Sequence, residues 1–148
     1  SYQGWDPSND NTVLASVNSD DNYEGYLYFA DANTQFKFLK GSAWGDPDWG
    51  DNGADGTLDP GGANLQVADP GYYKINVDLN NLTYTVLKTD WGIIGSATAD
   101  GWNSDQNMTF DPATGEWTAT LDLTAGEIKF RANDGWDLNY GDTGADGV

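Results

Sequence analysis

Six aromatic side chains sit in loops whose composition gives them little chance of burial. Trp5, Trp44, Trp49, Trp102, Trp136 and Tyr140 all lie in stretches rich in Gly, Asp and Asn. Connecting segments of this kind run over the surface, so these rings are expected to face water. A pyranose ring has an apolar C–H face that packs on an aromatic plane, and its hydroxyls need amides, carboxylates or cations alongside. The chemistry on offer is therefore recognition of a neutral sugar. The chain has only six basic residues, and two of them alternate in Ile128-Lys129-Phe130-Arg131, just before Trp136. Period-two alternation points Ile128 and Phe130 inward and puts Lys129 and Arg131 on the outer face. Trp102, Trp136, Arg131, Lys129, Asn133 and Tyr140 form the better-equipped candidate site. Trp5, Trp44 and Trp49 with Lys37 and Lys40 form a second one. There Leu39 and Gly41 stand where the first has Arg131 and Asn133. The competing reading is that the loop Trp residues plug the ends of a β-sandwich. Trp117, in phase with Ala119 and Leu121, and Trp91, beside Ile93, belong to packing, as do Phe36, Phe38 and Phe130.

Other chemistries have less to work with. The chain contains no Cys and no His, which removes thiol nucleophiles, imidazole bases and the usual zinc ligands. Paired carboxylates serve glycosidases, but no Asp here lies in an apolar stretch that would raise its pKa, so no catalysis is expected. Asp51, Asp55 and Asp59 fall at roughly the spacing of a calcium loop. Gly53 at the third position and the lack of a closing Glu depart from that pattern. No metal or cofactor is expected, and a calcium-stabilised structural or adhesive repeat is the alternative. Asn81-Leu-Thr83 and Asn107-Met-Thr109 match a glycosylation sequon but read as turn and strand-edge residues.

The net charge is −18, from 24 acidic and six basic residues. Such a field repels phosphate backbones and anionic lipid headgroups, so nucleic acid is excluded as a partner. Of the acidic residues 21 are Asp and three are Glu. Asp, Asn and Gly favour turns over helix interiors. Strict alternation marks strands at Tyr73–Leu79, Leu82–Val86 and Trp117–Leu121. Asn80-Asn81 reads as a hairpin turn, and Asp111-Pro-Ala-Thr-Gly115 as a second turn. No stretch has a 3.6-residue period, and no apolar run approaches the ~20 residues of a membrane helix. The elements add up to an all-β chain of immunoglobulin-like sandwiches.

The order of elements repeats. Gly50-Asp-Asn-Gly-Ala-Asp-Gly56 reappears 91 positions on as Gly141-Asp-Thr-Gly-Ala-Asp-Gly147. Gln35-Phe-Lys-Phe38 matches Glu127-Ile-Lys-Phe130, Trp44 matches Trp136, and Gly4-Trp5 matches Gly101-Trp102. The expected domains are 1–89, a β-sandwich lacking its first strand, and 90–148, the N-terminal part of a second repeat. The second copy holds no counterpart of Ala63–Ala68, Gly71–Leu79 or Leu82–Lys88. The chain is accordingly expected to be a piece of a longer array. Its open strand edge would make a strand-exchanged dimer possible.

From Trp91-Gly-Ile-Ile-Gly-Ser-Ala-Thr98 through Gly101-Trp102 and Glu127–Gly147, the chain resembles the SusE/SusF family, the cell-surface starch-binding lipoproteins of Bacteroidetes. The resemblance covers nearly all of the second copy and, in the first, is closest from Phe36 to Lys88. It implies tandem immunoglobulin-like domains, each with a surface α-glucan site and no catalysis. It also implies a lipid-anchored parent on the outer face of the outer membrane, working with other components of a glycan-uptake complex. The layout is more distantly similar to the glucoamylase-type starch-binding module. On that pattern Trp102 pairs with Trp136, Trp5 pairs with Trp44, and Lys129 or Arg131 contacts sugar hydroxyls.

Overall fold

The computed structural model describes residues 1–9, 11–44 and 47–147. The chain divides into two units, Ser1–Lys88 and Thr89–Val148, one residue before the junction expected from the repeat. Both units are all-β, built from small antiparallel sheets.

The first unit opens with a short 3₁₀ segment, Tyr2–Trp5, followed among the described residues by eight strands: β1 Asn22–Phe29, β2 Thr34–Phe36, β3 Phe38–Leu39, β4 Asp48–Gly50, β5 Asp59–Pro60, β6 Leu65–Val67, β7 Gly71–Asp78 and β8 Thr83–Lys88. They pair as β1-β7-β8, β2-β6 and β3-β4-β5. Alternation in β7 has the consequence its sequence implies. Tyr73, Ile75 and Val77 are buried, while Lys74 and Asn76 between them are partly exposed. In β2-β6 the pair Phe36 and Leu65 turns inward and the pair Gln35 and Gln66 turns outward. These inward faces share one core with Phe29 and Leu58. Phe29 is its hub, with ring centroids 4.9 Å from Tyr2, 5.3 Å from Phe36 and 5.5 Å from Tyr73.

The β7–β8 connection is longer than the two-residue turn expected. Asp78 pairs with Thr83, so Leu79, Asn80, Asn81 and Leu82 all lie in the turn. Asp78 Oδ1 accepts from the N–H groups of Asn80 and Asn81 at 2.8 and 3.1 Å. Leu79 leaves the strand to pack on the core.

The described residues of the second unit form six strands: β9 Trp91–Ile94, β10 Gln106–Asn107, β11 Thr109–Asp111, β12 Glu116–Thr118, β13 Lys129–Ala132 and β14 Asn139–Tyr140. They pair as a sheet in the order β10-β9-β13-β14 and a β11–β12 hairpin. The turn of that hairpin forms as its residues dictate. Asp111 Oδ1 accepts from Ala113 N–H at 2.8 Å, and Gly115 takes the left-handed φ of +75°. Trp117 lies in this hairpin against Phe110, at 5.3 Å, and is half-buried. Trp91 is buried.

Burial along β13 is the reverse of that expected. Ile128 and Phe130 are 37 % and 39 % exposed, whereas Arg131 is 6 % exposed. The alternation itself holds, with Phe130 opposite Ile93 and Arg131 opposite Gly92. The cause is cover. In the first unit the matching Phe36 belongs to the core that holds Tyr73, Ile75 and Val77, and Phe38 packs against that core. Among the described residues of the second unit, no strand lies in the place that β7 takes in the first. On the other face, Arg131 is enclosed by side chains described below.

Candidate functional site

Both Trp pairs that the resemblance to the starch-binding module implies come together. The ring centroids of Trp5 and Trp44 are 6.2 Å apart at an interplanar angle of 48°. Those of Trp102 and Trp136 are also 6.2 Å apart, at 37°. Trp44, Trp102 and Trp136 are 49 %, 44 % and 50 % exposed. The repeated Gly-Trp dipeptide has a backbone reason. Gly4 and Gly101 both adopt left-handed conformations, with φ of +65° and +61°, where a Cβ would be strained.

In the second unit the loop carrying Trp102 is closed on itself. Gly95 N–H donates to the Gly101 carbonyl at 3.1 Å, and Gly101 N–H donates to that of Thr98 at 3.2 Å. Asp100 Oδ2 accepts from Gln106 Nε2 at 2.8 Å. Trp136 follows a tight turn in which Asn133 and Asp134 have φ of +56° and +54°, and Gly135 N–H donates to the Ala132 carbonyl at 3.0 Å. Asn139 Nδ2 then donates to the Trp136 carbonyl at 2.8 Å. The Arg131 guanidinium carbon lies 4.5 Å from the centre of the Trp136 ring.

The cations expected to meet sugar hydroxyls are engaged elsewhere. Arg131 Nε donates to Asp105 Oδ1 and Oδ2 at 2.6 and 2.9 Å, and Nη2 lies 2.5 Å from Oδ1. The hydrogen bond to Asp105 raises the Arg131 pKa further above its ordinary value, against the opposing effect of burial. Lys129 Nζ donates to Asn139 Oδ1 at 2.9 Å. Asn133 Oδ1 accepts from Asp90 N–H at 2.8 Å, so Asn133 acts as a turn residue. Tyr140 stands opposite Phe130 in the register and stacks on Trp91 at 5.4 Å and 18°. That is the sheet face away from Arg131. The pair Trp102 and Trp136, backed by Arg131, is what remains of the candidate site.

The first unit reproduces the layout with different supports. Trp49 stands opposite Phe38 and Leu39 opposite Asp48, as Tyr140 stands opposite Phe130 and Asn139 opposite Arg131. Trp49 therefore packs on the core, like its counterpart on the sheet. Lys37 forms a salt bridge with Asp48, the counterpart of the bond between Lys129 and Asn139. Trp44 Nε1 donates to the Trp5 carbonyl at 3.3 Å. Trp5 itself has φ of +62°, a strained conformation for a bulky residue. A cleft of about 350 Å³ runs along this pair, lined by Trp5, Trp44, Lys37, Lys40, Gln3 and Ser42 among others. Lys40 is exposed at its rim.

The Asp-rich loops are organised by their own backbone. Asp51 Oδ1 accepts from Gly53 N–H at 2.8 Å and Oδ2 from Gly56 N–H at 3.0 Å. Asp142 does the same with Gly144 and Gly147, at 2.9 and 2.6 Å. Ala54 and Ala145 share φ of +51°, so the repeated heptapeptide is a repeated conformation. Asp55 Oδ1 accepts from Thr57 N–H at 3.0 Å, and Asp59 Oδ2 from Asn52 N–H at 2.8 Å. Among the described residues no three carboxylates group around a common point. The melting temperature is accordingly expected to be the same in excess Ca²⁺ and in EDTA. A rise of several degrees with Ca²⁺ would overturn this account of the loop.

The loop also makes stability depend on pH. Burial raises the Asp51 carboxyl, but donors from Gly56, Tyr84, Asp55 and Gly53 outweigh it and hold the group below the ordinary value. The Tyr84 hydroxyl, which donates to Asp51 Oδ2 at 2.9 Å, is pushed up to about 12 by burial and by that carboxylate. A raised Tyr pKa means stability that is whole below the ordinary value of about 10 and is lost as pH climbs to about 12. A depressed Asp pKa means stability lost in acid, as pH falls through its folded value. Urea midpoints of the wild type should therefore fall at both ends of the pH range. Tyr84→Phe should flatten the alkaline limb of the first unit.

Sequence reasoning missed Asp105, Gly92 and Asn139. Asp105 is one of 21 Asp residues and carries no local pattern. Gly92 is hidden in an apolar strand, yet a Cβ there would lie 2.8 Å from Asp105 Cβ. Compared with known proteins, the chain matches no family model, no curated protein and no solved structure.

Proposed function

We propose that this protein is a non-catalytic carbohydrate-binding protein made of tandem immunoglobulin-like β-sandwich repeats of the SusE/SusF kind. Each repeat captures a neutral α-glucan on its Trp pair. The observation that carries the reading is the recurrence of two partly exposed Trp rings at 6.2 Å in both units. Exposed aromatic clusters are costly to leave in water and mark binding surfaces. The two rings of each pair are tilted by 37° and 48°, which favours a curved ligand such as a maltooligosaccharide over a flat chain. The −18 charge favours a neutral polymer over an anionic one. On this reading the parent protein is lipid-anchored on the outer face of a bacterial outer membrane and hands glycan to an uptake complex.

Electrophoresis in a native gel containing soluble starch tests the proposal. The protein should be retarded relative to a starch-free gel, and overnight incubation with amylose should release no reducing sugar. Unretarded migration would reject the α-glucan assignment and make a glycan array the next measurement. Release of reducing sugar would reject the absence of catalysis.

A further inference from the structure

We propose that Arg131 is a positioning residue for the Trp102–Trp136 platform and does not itself contact glycan. The inference rests on the binding role proposed above and specifies how one of the two sites is built. Arg131 is 6 % exposed, and the Asp105 side chain that holds it is 1 % exposed. A group so enclosed offers a ligand almost no donor surface. Its fork is committed to the carboxylate through Nε and Nη2. The planar guanidinium lies 4.5 Å from the Trp136 ring centre, in range of a cation–π contact. It thus covers one side of an indole that is half-exposed overall, leaving the remaining surface for a sugar.

The sequence of supports runs back through the sheet. Gly92 stands opposite Arg131, and the missing Cβ there leaves room for Asp105. Asp105 fixes the guanidinium, and the guanidinium fixes the tilt of Trp136 against Trp102. The first unit has Leu39 at the Arg131 position, opposite Asp48. Its Trp44 is held instead by one hydrogen bond to the Trp5 carbonyl, at 3.3 Å, and the tilt differs, at 48° against 37°. One platform is fixed by a buried charge pair and the other by a backbone carbonyl. The second unit's affinity should therefore be nearly independent of salt, because its charges are enclosed and already paired.

Arg131→Lys, Arg131→Leu and Asp105→Asn, each made in a Trp44→Phe background, test the inference. Arg131→Lys keeps the charge and loses the plane. The exciton couplet of the Trp102–Trp136 indoles in circular dichroism reads the ring geometry without any ligand. Titration with maltoheptaose reads affinity, and thermal melting reports folding. All three variants should lose most of the couplet and about tenfold in affinity. Asp105→Asn should do so although it leaves Arg131 in place. An unchanged couplet in Asp105→Asn and Arg131→Lys would overturn the proposal. So would full affinity in Arg131→Lys with the couplet lost, since the charge alone would then suffice. If Arg131→Leu fails to fold, the two gentler variants still decide. If the wild type does not bind maltoheptaose, the functional reading fails and the couplet still decides the positioning role.

Discussion

Replacing Trp102 and Trp136 together by alanine should weaken maltoheptaose binding by the second unit about 30-fold or more, which corresponds to ~2 kcal/mol. Buried aromatic anchors carry a disproportionate share of binding energy because they desolvate a large, rigid surface at low entropic cost. Here the anchors are half-exposed before binding, so the surface to be desolvated is available. The same exposure limits the cost to folding: substitutions away from the core typically change stability by about ±0.5 kcal/mol. The double variant should then melt near the wild type while losing affinity, and calorimetric titration beside a thermal melt separates the two. Trp5→Ala with Trp44→Ala should produce a comparable but independent loss in the first unit, since sites without shared partners add. The quadruple variant should no longer be retarded by starch. Wild-type retardation by a folded quadruple variant would sink the assignment of both pairs.

Phe29→Ala should remove ~3–5 kcal/mol from the first unit, the range for truncating a buried Phe. The ring is 1 % exposed and touches three other aromatic rings, so no neighbour can collapse into the space without leaving its own contacts. Against a typical domain stability of about 5–15 kcal/mol, that loss takes a large fraction of what holds the unit together. In urea, the midpoint of the transition reporting Ser1–Lys88 should fall sharply while that of the second unit stays in place. Val17→Ala, at a position 86 % exposed, is the control and should move neither midpoint. A Phe29→Ala protein with the wild-type midpoint would mean that the aromatic cluster is not the core of the unit.

What could be read from residues alone follows a simple division. Local and periodic features were legible. Alternation at Tyr73–Leu79 names the inward residues of β7 because side chains in a strand alternate faces wherever the strand lies. The repeated heptapeptide marks one loop conformation twice because Asp accepts from N–H groups two and five residues on, a purely local arrangement. The repeat made legible which Trp residues correspond between the copies, whereas the pairing of Trp5 with Trp44 and of Trp102 with Trp136 was what the resemblance to a starch-binding module implied. Trp49 and Tyr140 also proved to be counterparts, but the sheet register assigns both to packing.

Which face of β13 is covered was not legible, and the site depended on it. Alternation says that Lys129 and Arg131 share a face; it does not say whether that face meets water. The answer comes from Asp105, which lies 26 residues away in sequence, and from the missing Cβ at Gly92. Neither is visible to a local pattern, because a buried ion pair is a long-range arrangement of two residues that are individually common on surfaces. The amino-acid sequence by itself thus determined the alternating faces of β7, the turn at Asp111–Gly115, the repeated loop and which Trp residues correspond between the two copies. The tertiary structure alone decided that Arg131 lies beneath the platform, since burial depends on what packs above a residue and not on its place in the chain.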